Sequence, residues 1–378
     1  MRHLFAIALL AAISVACRAQ TTDTIRQKKS IITRVIAYFN DANKDTTYKR
    51  FDFSIIGGPH YNVNTKLGIG LVGTGLYRTD STDMSLQPPS VSLLGDITTA
   101  GFYMIGIRGL HIAPHDKNRI DYDLRFESFK SDYWGIGFND GDNAANESKM
   151  TTRKVSARVS YLWRLGRSFY LGPMLAYDFN EGTAIERPEL LYDMSRHTVN
   201  FGAGFTLAVD SRDIINYPSR GAYVKLTQYF RPRFMGNNYA FTTTDLNASV
   251  YRRLWPSGVV AANFITQLNF GNPPWAMMAM LGGSHSMRGY YEGRYRDKHK
   301  MEAQVELRQH VWRRNGIVMW AGAGTVFDKF SHVWMRRMLP NFGIGYRWEF
   351  KKNVNVRLDY GFGKGGQRGF NFNIGEAF

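Results

Sequence analysis

The chain has 378 residues, of which 37 are glycine and 14% are aromatic, and its formal net charge is +17. Its single cysteine excludes an intrachain disulfide and a thiolate metal site, and the nine histidines show no metal-ligand spacing. No zinc-finger spacing or helix-turn-helix pattern accompanies the positive charge. We therefore expect no metal, no cofactor and no nucleic-acid partner.

The first twenty residues, MRHLFAIALLAAISVACRAQ, have the pattern of an export signal. Arg2 and His3 give a basic start, and the apolar run over residues 4–15 is too short to span a bilayer. We predict a signal peptide over residues 1–19. The alternative is lipidation of Cys17, which Ser14 disfavours because a lipoprotein signal carries a branched apolar residue at that place.

Residues 20–50 are predicted to form a periplasmic leader with a short amphipathic helix. Within KKSIITRVIAYFNDANKD the apolar residues fall near helical spacing, at Ile31, Ile32, Val35, Ile36 and Phe39. Two interpretations are open. The helix lies at the inner membrane face or enters a barrel, or the segment is an ordered leader with no role beyond packing.

Beyond residue 50 the dominant pattern is alternation of apolar and polar residues over segments of about ten residues. In MEAQVELR the apolar set alternates with a charged or amide set: Met301, Ala303, Val305 and Leu307 against Glu302, Gln304, Glu306 and Arg308. The polar faces carry charges of both signs, and a charge facing lipid costs roughly 2–4 kcal/mol at mid-bilayer. The pattern favours transmembrane strands around a wet interior. A secreted β-sandwich would also alternate, but with its apolar faces in a shared core.

About sixteen such segments follow one another along the chain. They start near Phe51, Leu67, Ser90, Phe102, Ile120, Arg153, Ser168, Thr198, Ala222, Phe241, Val259, Met301, Ile317, Phe342, Val354 and Gly369. An even count suits an outer-membrane barrel, and closure leaves no strand edge in lipid. We predict an all-β fold, a sixteen-stranded antiparallel transmembrane β-barrel over residues 51–378.

The compartment follows from the predicted signal and barrel. We expect an integral protein of the outer membrane of a Gram-negative bacterium, whose first partners are membrane lipids and lipopolysaccharide. The hydrophilic stretch GFNDGDNAANESKMTTRK, residues 137–154, is predicted to be a long exposed loop.

Several short motifs occur in a fixed order along the barrel. The polar segment LGGSHSMRGYYEGRYRDKH, between the eleventh and twelfth strands, has the tip Met287, Arg288, Gly289 and Tyr290. A turn motif precedes it, at Asp210, Arg212, Asp213, Pro218 and Gly221, and YWGIG stands at residues 133–137. VELR, GTVFD and the aromatic ending FNFNIGEAF follow it, and the ending places Phe370, Phe372, Ile374 and Phe378 on one face.

In this order the motifs resemble the BamA/TamA family, bacterial surface-antigen barrels that insert or translocate proteins at outer membranes. The resemblance covers essentially the whole chain after the predicted signal. It implies that the loop between strands 11 and 12 folds back into the lumen. It also implies periplasmic POTRA domains before the barrel, for which the stretch from Gln20 to Phe51 is too short, so we expect a barrel-only member.

Arg288 is the residue whose role the resemblance specifies most closely. In the family this arginine meets acidic groups on strands 12 and 13, and its rigid fork of donors suits a carboxylate. Glu306 matches the first of these groups, but Gly322 stands where the second, an aspartate, is expected. Four other acids are candidate partners: Glu302, Asp328, Glu349 and Asp359. The alternative is a solvated loop with no fixed contact.

The resemblance predicts protein assembly or translocation without covalent chemistry, by opening the wall between the first strand (residues 51–56) and the last (residues 369–378). Four glycines are expected to loosen that seam: Gly361, Gly363, Gly365 and Gly366. Candidate partners are unfolded client proteins or a periplasmic accessory protein. The alternative is a passive pore or surface-exposed binding barrel. We expect no enzyme, since GGSHS, with Ser284 and His285, lacks the final glycine of a nucleophile elbow.

Overall fold

A computed structural model describes residues 51–62, 64–77, 89–214, 217–351 and 354–378. The predicted signal peptide and leader helix lie outside the described residues. No helix among the described residues is long and apolar enough to cross a membrane.

Sixteen antiparallel strands close into a barrel, as the alternation predicted. They are β1 (Phe51–Asn62), β2 (Lys66–Tyr77), β3 (Ser90–Thr98), β4 (Tyr103–Ile112), β5 (Asn118–Tyr133), β6 (Ser148–Arg164), β7 (Phe169–Thr183), β8 (His197–Asp210), β9 (Gly221–Arg231), β10 (Phe241–Trp255), β11 (Gly258–Gly271), β12 (His299–Trp312), β13 (Asn315–Phe327), β14 (Leu339–Lys351), β15 (Val354–Phe362) and β16 (Arg368–Ile374). Each strand is bonded to its neighbours in sequence, and β16 returns to β1.

The alternation also predicted which side chains face outward. Leu67, Ile69 and Leu71 of β2 are more than half exposed on the outer surface. On β12 the two sets separate, since Val305 is exposed while Glu306 and Arg308 are buried. An apolar outer wall and a polar interior are the arrangement that a bilayer requires of a barrel.

Exposed aromatic residues gather near both ends of the outer wall. We call the end with the short turns at 256–257 and 313–314 the tail end, and the opposite end, with residues 272–298, the loop end. Tryptophans lie near the tail end: Trp163, Trp255, Trp312 and Trp348. Phenylalanines lie near the loop end: Phe201, Phe230, Phe270, Phe342, Phe362 and Phe370. Two such girdles mark the interfaces of a membrane with water.

The prediction of an exposed loop over residues 137–154 was right for residues 142–147, most of which are exposed, and wrong on either side of them. Residues Phe138–Asp142 form a short helix, α1, and β6 begins at Ser148, five residues before the predicted start. The hydrophilic composition misled because Ser148 and Thr152 face the polar lumen and are buried there. Phe138 is buried as well, against a cluster of loop and wall residues: Leu281, Met287, Tyr290, Tyr295, Val326 and Leu339.

The closing join of the barrel differs from the others. Among the described residues β1 and β16 share one register pair, Tyr61 with Phe372. On its other side β1 pairs with β2 at all twelve positions. β16 ends at Ile374, and Gly375 follows with φ +93°, a left-handed conformation that favours glycine. We call the join of β1 with β16 the seam and residues 375–378 the tail.

Candidate functional site

The tip of the 272–298 segment is a tight turn whose backbone suits its residues. Met287 and Gly289 both have positive φ, +47° and +121°, and the Tyr290 N–H donates to the Met287 carbonyl at 3.1 Å. A Cβ added to Gly289 would lie 2.8 Å from the carbonyl carbon of Gly361 on β15. Glycine is therefore required at this position by both conformation and space.

Arg288 is fully buried between two carboxylates that face inward from the wall. Its Nη2 donates to Glu306 Oε2 at 2.6 Å, and its Nη1 donates to Asp359 Oδ2 at 2.8 Å. Each carboxylate also accepts from a second guanidinium: Arg308 Nε lies 2.8 Å from Glu306 Oε1, and Arg347 Nη1 lies 2.6 Å from Asp359 Oδ1. We call these five side chains the clamp.

Two of the five predicted acids therefore contact Arg288, and two others have different partners. Glu302 accepts from the Ser286 hydroxyl and from Lys300, and Asp328 pairs with His332. Glu349 lies near the tail end of β14, where it lines a cavity between the wall and the tail. Asp359 on β15 is thus the second carboxylate, whereas the resemblance led us to expect it on β13, at the position of Gly322.

Sequence reasoning missed two residues that complete the arginine's surroundings. The Arg288 guanidinium lies 3.7 Å above the Trp320 ring of β13, a cation–π contact that desolvation strengthens. Asn341 of β14 accepts from Trp320 Nε1 at 2.9 Å and donates to the Arg288 carbonyl. The signal was available, because alternation places Trp320 on the same inward face as Gly322. One loop residue thus contacts four consecutive strands, β12 to β15.

Two of the glycines expected to loosen the seam make room for this loop. A Cβ on Gly361 would lie 1.9 Å from the Arg288 carbonyl oxygen, and one on Gly363 would lie 2.5 Å from the Tyr290 ring. The Tyr290 hydroxyl donates to the Pro340 carbonyl at 2.6 Å and accepts from the Lys364 N–H at 2.7 Å. The absence of side chains at these glycines lets the loop lie against the wall.

The predicted turn motif forms the connection between β8 and β9 at the tail end. Arg212 donates to both oxygens of Asp210, at 2.9 and 2.8 Å. Asp213 accepts from the backbone N–H groups of Ser219 and Arg220, so it holds the turn closed. The chain enters β9 through Gly221 at φ +98°, after the buried Pro218.

The aromatic ending divides between the two faces of the wall. Phe370 is exposed outside, with its ring 5.9 Å from Tyr61 across the seam, Phe372 pairs with Tyr61, and Ile374 is the last residue of β16. The prediction that Phe378 shares this face was wrong. Because Gly375 turns the backbone, the Phe378 ring lies 5.2 Å from the Arg308 guanidinium, on the lumen side.

The tail makes further polar contacts inside the barrel. Glu376 Oε2 accepts from Arg347 Nε at 3.0 Å, and Oε1 accepts from Asn355 Nδ2 at 2.6 Å. The Ala377 carbonyl lies 2.9 Å from Nδ1 of His285, which must donate there. Burial, with the charge of Arg357 next, lowers the pKa of His285 to about 4, so its ring is neutral at pH 7.

Ser284 and His285 thus have structural contacts, since Ser284 offers its carbonyl to Arg357 Nη2 at 3.0 Å. The described part of the chain holds no group of three or more side chains that could bind a metal. What the arrangement provides is mechanical: a buried network of guanidinium and carboxylate groups ties loop, wall and tail together beside a thinly paired seam.

The comparisons with known proteins agree with this architecture. A family model described as the Omp85 superfamily domain matches residues 113–378, about 70% of the chain. Among curated proteins, no sequence matches this chain.

Several solved structures have a similar fold. BamA from Haemophilus ducreyi lacking POTRA domains 1–3 is 13% identical over 97% of this chain and 81% of that one, with a TM-score of 0.59. CdiB from Acinetobacter baumannii is 12% identical over 87% of this chain and 60% of that one, with a TM-score of 0.55. CdiB from Escherichia coli is 10% identical over 89% of this chain and 69% of that one, with a TM-score of 0.53.

The chain therefore spans less than two thirds of the first of the two CdiB structures, and at these identities the likeness concerns the fold. The apolar outer wall, its aromatic girdles and the family match are all consistent with an integral outer-membrane protein. On the match over residues 113–378 and the sixteen-stranded closed barrel, the chain belongs to the Omp85 superfamily.

Proposed function

We propose that this barrel assembles or translocates other polypeptides at the outer membrane of a Gram-negative bacterium by opening its seam, without covalent chemistry. The observation that carries the proposal is the single register pair, Tyr61 with Phe372, that joins β1 to β16 among the described residues. The least paired of the other joins, β15 with β16, has seven pairs. A wall under strain would part first at the seam.

An open seam exposes backbone groups that can bind another strand. Most of β1 has no partner in β16 among the described residues, although its other edge is fully paired with β2. A row of free N–H and C=O groups is a template for strand addition, which supplies affinity through main-chain hydrogen bonds. A client strand could therefore add to β1 while it enters the membrane.

The clamp supports this proposal because it confines the opening to one place. Arg288 connects β12, β13, β14 and β15 through Glu306, Trp320, Asn341 and Asp359. Breaking a buried ion pair by removing one partner costs about 3–5 kcal/mol, so the joins that the clamp spans resist separation more than the seam, which has one register pair to lose among the described residues. The braced strands then stay together while β1 moves from β16.

The passive pore predicted as the alternative is less well supported. Arg288 and Glu376 contact the inward-facing side chains of Glu306 and Arg347, so both the loop and the tail lie in the path of a solute. We further propose that clients reach the tail end with the help of a periplasmic accessory protein or the leader at residues 20–50, and that lipids and lipopolysaccharide surround the outer wall.

The test is a disulfide across the seam. Cysteines at Tyr61 and Phe372, which are paired in register, should cross-link on oxidation, because paired Cα atoms in antiparallel strands lie within disulfide range. The matched control places cysteines at Leu124 and Ala157, a register pair between β5 and β6. Each variant is expressed as the only copy in its host, after depletion of the parent chain has been shown to lower other outer-membrane barrels.

We expect the seam cross-link to reduce the amount of other barrels in the outer membrane as strongly as depletion does, and reductant to restore it. The control cross-link should leave them unchanged. Normal barrel content in depleted cells, with altered solute uptake, would support the pore. Normal content with a fully oxidised seam would contradict opening at this place.

A further inference from the structure

A cavity of about 210 Å³ lies at the tail end of the lumen, beside the tail. Four arginines line it, two buried and two exposed at its mouth: Arg308 and Arg347, then Arg253 and Arg314. Two acids line it as well, Glu349 and Glu376, which leaves an excess of two positive charges (four minus two). The neighbouring side chains do not cancel this charge. Arg288, Glu306, Asp359 and Arg357 add two positive and two negative charges, so the excess of positive charge stays at two.

The buried arginines have donor atoms left over. Arg308 Nη1 and Arg347 Nη2 are buried and have no hydrogen-bond partner among the described residues, although each side chain is already bound to a wall carboxylate through another nitrogen. A guanidinium offers five N–H donors, and an unsatisfied buried one is costly. Both residues line the cavity, which suits it to an anionic occupant in the place of the Glu376 carboxylate.

The tail shows which chemistry the site accepts. The Glu376 carboxylate, with its side chain 3% exposed, lies 3.0 Å from Arg347 Nε and 3.9 Å from Arg308 Nε. The next residue, Ala377, offers a carbonyl to His285, and the Phe378 ring lies 6.4 Å from the Tyr251 ring. An acidic residue, a small residue and an aromatic residue are thus bound in sequence.

We propose that this cavity is a binding site for an acidic residue of a polypeptide segment, and that Glu376 is its resident, displaceable occupant. A polypeptide fits better than a free inorganic anion because two side chains beside the cavity contact the rest of the tail: the His285 ring donates to a main-chain carbonyl, and the Tyr251 ring offers an aromatic surface. The cavity has room for more than the Glu376 side chain, because its volume of about 210 Å³ is far larger than the roughly 10–15 Å³ that one water molecule requires.

The site has a consequence for the tail. A segment that displaces Glu376 frees the tail and the end of β16, to which the tail is joined at Gly375. The inference goes beyond the proposed function and does not depend on it, because binding at this site requires no opening of the seam.

The experiment uses the full chain in detergent and a fluorescent peptide, acetylated and amidated, of sequence Asn-Ile-Gly-Glu-Ala-Phe. Binding is followed by fluorescence anisotropy. The Glu376→Gln variant should bind the peptide about tenfold more tightly than the parent chain, because a resident occupant reduces the fraction of vacant sites by that factor. The same peptide with glutamine in place of glutamate should bind neither protein above the background of empty micelles.

Three controls assign the binding to the cavity. Adding Arg347→Gln to the Glu376→Gln variant should abolish the gain, whereas Arg336→Gln, an exposed arginine of the loop end, should preserve it. Phe378→Ala, which weakens the resident tail without touching its charge, should also bind more tightly than the parent. Excess inorganic phosphate should compete weakly.

The proposal is overturned if neither Glu376→Gln nor Phe378→Ala gains affinity. It is also overturned if the glutamine peptide binds as well as the glutamate peptide, or if phosphate displaces the peptide completely. None of these results bears on opening of the seam, because the cross-linking test measures the amount of other barrels in the outer membrane and not peptide binding.

Discussion

Two joins of the same wall show how differently this barrel is held together. β5 and β6 share sixteen register pairs, while β1 and β16 share one among the described residues. The difference lies in length and direction: β16 has seven residues, and the backbone then turns into the lumen at Gly375. The closing join is thus the least paired one in the described part of the wall.

Beside the weak join, the wall from β12 to β15 is braced from within. The clamp residues are nearly all fully buried, and each carboxylate is shared by two guanidiniums. Buried ion pairs contribute little net stability relative to an apolar core, but removing one member is expensive. The clamp is therefore best understood as a device that fixes the position of the loop relative to these strands.

Loss of the arginine should have the largest effect. Arg288→Ala removes one partner from Glu306 and from Asp359, and we expect a loss of about 3 kcal/mol in the free energy of unfolding, the low end for a broken buried pair. The carboxylates keep Arg308 and Arg347, which limits the loss. Heat-shift electrophoresis measures the change.

Arg288→Lys should not restore the unfolding temperature of the parent barrel. One ammonium cannot reproduce two divergent hydrogen bonds and the stacking on Trp320. Arg233→Ala, at an exposed loop-end arginine, is the matched control and should leave the midpoint unchanged. An Arg288→Ala barrel as heat-stable as the control would mean that the loop is not held by this residue.

A methyl group at Gly361 should break the same brace by a different route. Its Cβ would meet the Arg288 carbonyl at 1.9 Å, so the loop tip must retreat from β15, and we expect a loss of about 1–3 kcal/mol for overpacking. Gly95→Ala on β3 is the control, because a Cβ there meets no atom of the described residues within 4 Å. If both variants unfold at the same temperature, the close approach of the loop to β15 is not maintained.

A valine at Gly375 should strengthen the seam. A β-branched residue disfavours φ +93° by about 1–2 kcal/mol, so the backbone should continue as a strand and pair further with β1. We expect slower amide hydrogen exchange over residues 55–60, which an extended β16 would reach in the register of Tyr61 with Phe372. Gly366→Val introduces comparable strain at φ +77° in the turn between β15 and β16 and should leave β1 unchanged. Equal exchange in the two variants would argue that Gly375 does not limit the pairing.

Acidification should have the smallest effect, through His285. Burial and nearby arginine charge lower its pKa to about 4 from the ordinary 6.5, so the unfolded chain binds a proton more readily than the folded one between those values. Stability should fall by about 1 kcal/mol from pH 6.5 to pH 5.5 on this account. His285→Gln keeps an N–H donor for Ala377 and should flatten the dependence. Parallel heat-shift curves for parent and variant would contradict this role.

The barrel could be predicted from the sequence because its signal is local and repeated. Alternation in MEAQVELR gave both the strand and its inward face, and with it the inward position of Glu306. The same rule failed for Phe378, which alternation places on the outer face together with Phe370 and Phe372. A single glycine torsion reverses the chain at Gly375, and nothing in the alternation encodes that torsion.

The site was predicted only in part, for a related reason. The resemblance identified Arg288, but it could not choose among five acids, because that choice depends on which strands meet across the lumen. Asp359 lies 71 residues from Arg288 in the chain, and Trp320 carried no motif. Contacts between a loop and distant strands are set by tertiary geometry, which a period-two pattern does not contain.

The most direct test of the account is a distance measurement across the seam. Spin labels at Tyr61 and Phe372 are compared with labels at Leu124 and Ala157 on β5 and β6, both pairs in register, in lipid bilayers. We predict a broad or two-peaked distance distribution at the seam, with a population well beyond strand spacing, and a single narrow peak at the control. Two equally narrow peaks at strand spacing would contradict the claim that this barrel opens there.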